Sequence, residues 1–176
     1  MPYASFRSIN FPDRFIRHSN FLGELTPVVS DLDKRDATFD IIESPLRTEL
    51  ISFRSINITN SEVGFQSFWL RHQNFRLRLD TQVFEVHPPD HPLPPPTMPV
   101  PDLENIFYQD SAFIMTPGLA DVTAVSFRSL NFPDRYIRHR DLHLFVERID
   151  SPTSRLDATF RIEQPFIPQP PPGILH

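Results

Sequence analysis

The chain has no cysteine among its 176 residues. That excludes a disulfide framework, a thiol nucleophile and a cysteine-ligated zinc site, so packing alone has to hold the fold. No stretch approaches the roughly 18 consecutive apolar residues of a membrane span, and no membrane partner is expected. A surplus of positive charge is also missing. The net charge is −5, and nonspecific affinity for nucleic acid comes largely from neutralising phosphates with Lys and Arg, so nucleic acid is not expected as a partner either. Glycine is scarce, with 4 residues against 20 prolines, and no segment carries a sustained helical period. Met1-Pro2-Tyr3-Ala4 leaves no room for a secretory signal ahead of the first patterned segment. A full-length chain would accordingly be cytosolic, and a monomer is expected.

What the chain does have is a sentence written three times: Ser5-Phe6-Arg7-Ser8-Ile9-Asn10, Ser52-Phe53-Arg54-Ser55-Ile56-Asn57 and Ser126-Phe127-Arg128-Ser129-Leu130-Asn131. Each copy is followed by an Arg-His pair (Arg17-His18, Arg71-His72, Arg138-His139) and then by an Asp-x-x-Phe element opening at Asp36, Asp110 or Asp157. From the opening Ser to the His is 13 positions in the first and third copies, and from that His to the Asp is 18 in both. The same intervals in the middle copy are 20 and 38 positions, while the joins from Asp to the next Ser are both 16. The middle copy has therefore been opened by insertions at two places. A chain of this length is within the range of one domain able to bury a substantial core, and 17 Phe residues would supply much of it.

Period-two alternation predicts strands. Phe75, Leu77 and Leu79 alternate with Arg76 and Arg78, and Leu142, Leu144 and Val146 with His143, Phe145 and Glu147. In the first copy Phe21 and Leu25 flank Gly23, which marks a bulge or a close approach of backbone. A further strand follows each Asp (Phe39 and Ile41, Phe113 and Met115, Phe160 and Ile162). The opening Ser-Phe-Arg-Ser and the segment ending in Arg-His are the remaining two. Pro12-Asp13 and Pro133-Asp134 signal turns between them. Four short strands in three copies predict an all-β chain of twelve strands, the β-trefoil arrangement, as a single domain over 1–176. Its repeats would span 5–51, 52–125 and 126–166, with a Pro-rich insertion at 86–107 and a Pro-rich tail at 167–176. Repeated Pro favours extended, solvated chain, so this insertion should project from the body.

The combined pattern of Phe-Arg-Ser-x-Asn, aromatic-Ile/Leu-Arg-His, alternating Leu and Asp-Ala-Thr-Phe resembles the arabinose-binding (AbfB) module of α-L-arabinofuranosidase B, over about Ser5 to Phe166. The resemblance implies a β-trefoil carbohydrate-binding module for L-arabinofuranose side chains of arabinoxylan and arabinan, in a family that is usually secreted. It implies one pocket from His18 and Asp36, a second from His72 and Asp110 and a third from His139 and Asp157. The aromatics Phe15, Trp69 and Tyr136, each three residues before the His, would line these pockets or belong to the core. A carboxylate accepts hydrogen bonds from vicinal hydroxyls, and neutral imidazole donates from one nitrogen and accepts at the other. The middle copy departs from the pattern, with Asp110-Ser111-Ala112-Phe113 and a long loop between its His and Asp, so the outer pockets are the expected working sites and the third is the best matched.

Each residue also has a structural reading. An Asp before a strand can cap a turn, and a His after Arg can be a satisfied core histidine. Arg7, Arg54 and Arg128, like Arg17, Arg71 and Arg138, read most plainly as salt-bridge partners. No cofactor is expected. Metal binding by His72, His87 and His91 lacks a supporting ligand pattern. Two other functions stay open: a protein-interaction trefoil acting through the Pro-rich loop, and a glycoside hydrolase. The latter normally needs two carboxylates flanking the scissile bond, and each copy repeats only one candidate acid.

Overall fold

The computed structural model describes residues 3–60, 66–82 and 103–171. The insertion between 83 and 102, with His87 and His91, lies outside them, as does the tip between 61 and 65. Twelve strands form one antiparallel sheet. In chain order they are β1 Tyr3–Ser8, β2 Phe15–Ser19, β3 Leu22–Thr26, β4 Phe39–Glu43, β5 Leu50–Asn60, β6 Gln66–Gln73, β7 Arg76–Thr81, β8 Phe113–Pro117, β9 Val125–Ser129, β10 Arg135–Arg140, β11 His143–Arg148 and β12 Phe160–Glu163. The all-β reading holds, and the pairings recur once per sequence repeat. The hairpins β2–β3, β6–β7 and β10–β11 correspond, and β3, β7 and β11 also pair with one another in a ring.

The opening motif becomes legible at the centre. Phe6, Phe53 and Phe127 are fully buried and meet edge to face, with ring centroids 5.1 to 5.4 Å apart. This geometry suits the aromatic quadrupole. Phe39, Phe113 and Phe160, the last residue of each Asp-x-x-Phe, pack around them within the same core. Period two turns the intervening Arg7, Arg54 and Arg128 outward. There each faces one aromatic in register on the next strand: Arg7 opposite Phe15, Arg54 opposite Trp69 and Arg128 opposite Tyr136. Arg7 pairs with Glu163 and Arg54 with Asp40. Arg128 has no ion pair among the described residues, and its Nε is buried without a hydrogen-bond partner.

Two local features differ from the sequence reading. Phe21, Phe75 and Leu142 are not strand residues. With Asn20, Asn74 and Asp141 they form two-residue hairpin turns at positive φ, between 49° and 66°, and their carbonyls accept from Leu79, Val146 and Leu25 of a neighbouring hairpin. Three short helices also precede the post-Asp strands: α1 Asp31–Asp36, α2 Ile106–Ser111 and α3 Pro152–Asp157. Ser30, Asn105 and Ser151 cap their N-termini by accepting from backbone N–H groups. Helix α2 starts at Ile106, within the last two residues of the 86–107 stretch read as insertion, and runs beyond it to Ser111.

Gly23 is the close approach its sequence position suggested. It occupies the place that Leu77 and Leu144 hold in the other copies, and a Cβ built on it would lie 2.9 Å from the Cβ of Leu77 and 3.4 Å from that of Leu144. Two leucines and a glycine therefore fill one crowded end of the barrel. Gly23→Ala should lower stability by about 1–3 kcal/mol, the usual cost of overpacking. Thermal or denaturant unfolding checks this, and the larger Gly23→Val should cost more than Gly23→Ala if crowding is the cause.

Candidate functional site

Asp-Ala-Thr-Phe is a helix-to-strand junction. In the outer copies the Asp ends the helix, the Ala is fully buried, and the Thr hydroxyl donates back to a helix carbonyl, Thr38 to Lys34 at 2.8 Å and Thr159 to Arg155 at 2.7 Å. The Phe then enters the core. This local closure delivers Asp36 and Asp157 to a fixed place beside the Arg-His strand of the same copy. In the middle copy Ala112 stands where the Thr would be, yet Asp110 arrives at the corresponding position.

There His and Asp meet in all three copies, with His Nε2 at 3.6, 3.5 and 3.4 Å from the Oδ1 of Asp36, Asp110 and Asp157. The preceding Arg addresses the other oxygen, at 3.6 Å for Arg17, 3.8 Å for Arg71 and 2.8 Å for Arg138. Between His and Asp stands a residue the sequence reading did not single out, the Asn that closes the opening motif, and it comes from a different copy. Asn57 Nδ2 donates to Asp36 at 2.7 Å, Asn131 to Asp110 at 2.8 Å and Asn10 to Asp157 at 2.8 Å. Their Oδ1 atoms lie 3.1, 2.9 and 3.0 Å from the Nε2 of His18, His72 and His139, and each also accepts from a buried serine hydroxyl, Ser55, Ser129 or Ser8. Because the amide nitrogen donates to the carboxylate, its oxygen must face the imidazole, which therefore carries its proton on Nε2 and keeps Nδ1 as an acceptor.

The result is three cradles, each of a His, Asp and Arg from one copy and an Asn from the next around the ring. His, Asp and Asn recur in sequence, so internal repetition was the signal for the Asn. Its partner was hidden by separations of 39 to 129 residues. The residue after each Asn adds local character. Phe11 packs edge-on to His139 at 5.2 Å and is 39% exposed. Phe132 does the same to His72 at 5.5 Å and carries Phe75 and Arg135 with it.

Phe15, Trp69 and Tyr136 do not join these cradles. Three residues before the His is an odd step along a strand, and it puts them on the opposite face. Trp69 is almost fully buried, lying beneath Arg54, and Phe15 packs against Phe166.

Burial lowers the pKa of His18 and His139 below the ordinary imidazole value of 6.5, against the opposing pull of Asp36 and Asp157. Both rings are then neutral at pH 7. The Asp33 carboxyl is held down to about 2, first by the Ser30 backbone N–H and then by that of Val29 and by the Arg17 guanidinium.

The chain matches the family model for the alpha-L-arabinofuranosidase B (ABFB) domain over residues 4–84 and 100–164. It belongs to that family. No curated protein matches it. Among solved structures it is similar to a GH54 α-L-arabinofuranosidase mutant soaked with 4-nitrophenyl α-L-arabinofuranoside, at 24% identity and a TM-score of 0.70, covering 94% of this chain and 31% of that one. It is also similar to an arabinofuranosidase complexed with arabinofuranosyl-α-1,2-xylobiose, at 21% identity and a TM-score of 0.68 with the same coverage. A BEL β-trefoil aligns over 92% of both chains at 12% identity and a TM-score of 0.58. The chain thus spans about a third of the arabinofuranosidases it resembles.

Two outcomes are expected. Unfolded, both histidines take up protons near pH 6.5; folded, they resist doing so. Below that pH the unfolded chain therefore binds more protons and stability falls with pH until the folded values are reached. Melting curves from pH 7.5 down to 5 should show this decline, and His139→Gln should flatten it. Asn10→Ala should disturb the His139 imidazole signals in NMR and leave those of His18 unchanged, because Asn10 serves the third cradle although it lies in the first copy.

Proposed function

We propose that the chain is a non-catalytic carbohydrate-binding module that recognises L-arabinofuranose side chains of arabinoxylan or arabinan. The observation that carries this reading is the cradle of His, Asp, Arg and Asn, built three times with the same internal hydrogen bonds in a chain of the AbfB family. A furanose presents several hydroxyls in a small space. The carboxylate and the imidazole Nδ1 can accept from them, while the Arg and Asn hold the carboxylate oriented without neutralising all its lone pairs. The third cradle is the best candidate: Arg138 reaches Asp157 most closely, and Phe11 gives it an exposed apolar wall beside His139. The first, His18 and Asp36, follows. The second, His72 and Asp110, has the same inner geometry, with an Arg71 held less closely at 3.8 Å. We further read the architecture as a β-trefoil of three four-strand repeats, acting as a monomer.

Binding without turnover is supported by the carboxylates beside the outer cradles. Glycoside hydrolysis needs an acid and a second carboxylate free to act. Beside Asp36, Asp33 caps α1 and stays ionised down to about pH 2, so it cannot serve as a proton donor near neutrality. Beside Asp157, Glu147 is paired with Arg140. Single cradles of this size are expected to bind with a Kd between about 1 mM and 1 μM, and a branched polymer engaging several would bind more tightly by avidity.

Calorimetric titration with arabinofuranosyl-xylobiose tests the assignment. Asp157→Ala should weaken binding at the third cradle about tenfold to a hundredfold, in line with the roughly 1.5–3 kcal/mol of a hydrogen bond to a charged group. Release of arabinose by the purified chain, or full affinity in a folded variant lacking Asp36, Asp110 and Asp157 together, would refute the reading.

A further inference from the structure

A second kind of site lies on the outer face where the first copy meets the third. Arg7, Phe15, Glu163, Gln164 and Phe166 line a solvent-open cleft of about 310 Å³, at the lower end of small-molecule pockets. The rings of Phe15 and Phe166 stand 4.8 Å apart at 72°. Arg7 reaches Glu163 through Nε and Nη2, both at 2.6 Å from Oε1, which leaves Oε2 and Nη1 for a ligand. About a third of each side chain is exposed. The segment after β12 is tied down where it borders the cleft: Phe166 N–H donates to Ser5 Oγ at 3.4 Å and Ile167 N–H to Thr38 Oγ1 at 3.3 Å. The corresponding junctions between the other copies are built differently, since Pro45 and Leu119 stand at the same distance after Asp36 and Asp110 as Phe166 after Asp157.

We propose that this cleft binds a neutral pyranose unit of a polysaccharide backbone. Arg7 and Glu163 neutralise each other, so the cleft selects for no ligand charge, yet one acceptor and one donor remain for sugar hydroxyls: one can donate to Oε2 and another accept from Nη1. The electron-rich faces of Phe15 and Phe166 suit the C–H face of a sugar ring, and the exposed Gln164 amide offers both a donor and an acceptor. Phe15 and His18 are three residues apart on β2, roughly 10 Å at the rise of a strand. They lie on opposite faces of that strand, so the cleft is a site separate from the first cradle. The choice of a backbone unit rests on the arabinofuranose reading of the cradles, whereas the cleft's affinity for a pyranose chain is measured separately.

The probe is unbranched xylohexaose, titrated into the ¹⁵N-labelled chain. Shifts are expected at the amides of Phe15, Gln164 and Phe166, with none at Asn10 or His139. Phe166→Ala should weaken this binding at least tenfold, and the milder Gln164→Ala about threefold, while the third cradle keeps its affinity for arabinofuranosyl-xylobiose. The proposal is overturned by an absence of shifts at the cleft, by unchanged affinity in a folded Phe166→Ala chain, or by a proline-rich peptide occupying the cleft where xylohexaose does not. Asp157→Ala separates the two ideas, since it should weaken arabinose binding at the third cradle and spare xylohexaose.

Discussion

Each cradle depends on one carboxamide with both ends engaged. The Asn nitrogen donates to a carboxylate and its oxygen faces an imidazole, while a buried serine hydroxyl donates to that same oxygen. All of these groups lie largely out of water, where an unpaired polar atom is costly. The Asn comes from one copy and the His, Asp and Arg from another, so the cradle exists only when neighbouring copies are seated in register. Fold and site are thereby one constraint.

That seating is set by the same six-residue sentence. Its Phe goes to the centre, where Phe6, Phe53 and Phe127 lock edge to face, and its serines are buried. Its Arg turns out to a cross-strand aromatic, and its Asn reaches into the neighbouring cradle. Phe, Arg and Asn each have a different neighbour to meet, which explains why the sentence recurs with so little change. The helices α1 and α3 do the complementary work: six residues capped by serine and closed by a threonine hydroxyl place the Asp within reach of both its Arg and the foreign Asn.

The sequence made the strands and their order legible because period two, Pro-Asp turns and fixed intervals all agreed. The helices escaped notice because six residues are too few to display a 3.6-residue period. The hairpin turns were read as strand because bulky Phe21, Phe75 and Leu142 occupy positive φ where a glycine would have been the usual sign. Of the site, the His and Asp were visible as repeats, whereas the Asn was visible only as punctuation, its partner lying in another copy. Phe15, Trp69 and Tyr136, open between pocket and core in the sequence, are set apart from the His by the parity of a strand, in which a step of three reverses the face. That reversal is what gives Phe15 a different surface beside Arg7 and Glu163, and it separates a recurrent Arg and aromatic pair that braces the sheet from the recurrent cradle that faces a ligand.

The most direct measurement is a crystal structure of the chain soaked with arabinofuranosyl-xylobiose. Density for an arabinofuranose ring in the third cradle, its hydroxyls within hydrogen-bond distance of Asp157 and His139 and its ring beside Phe11, is the predicted result. Arabinofuranose bound elsewhere on the surface, with the cradle of Asn10, His139 and Asp157 closed and free of sugar, would contradict it.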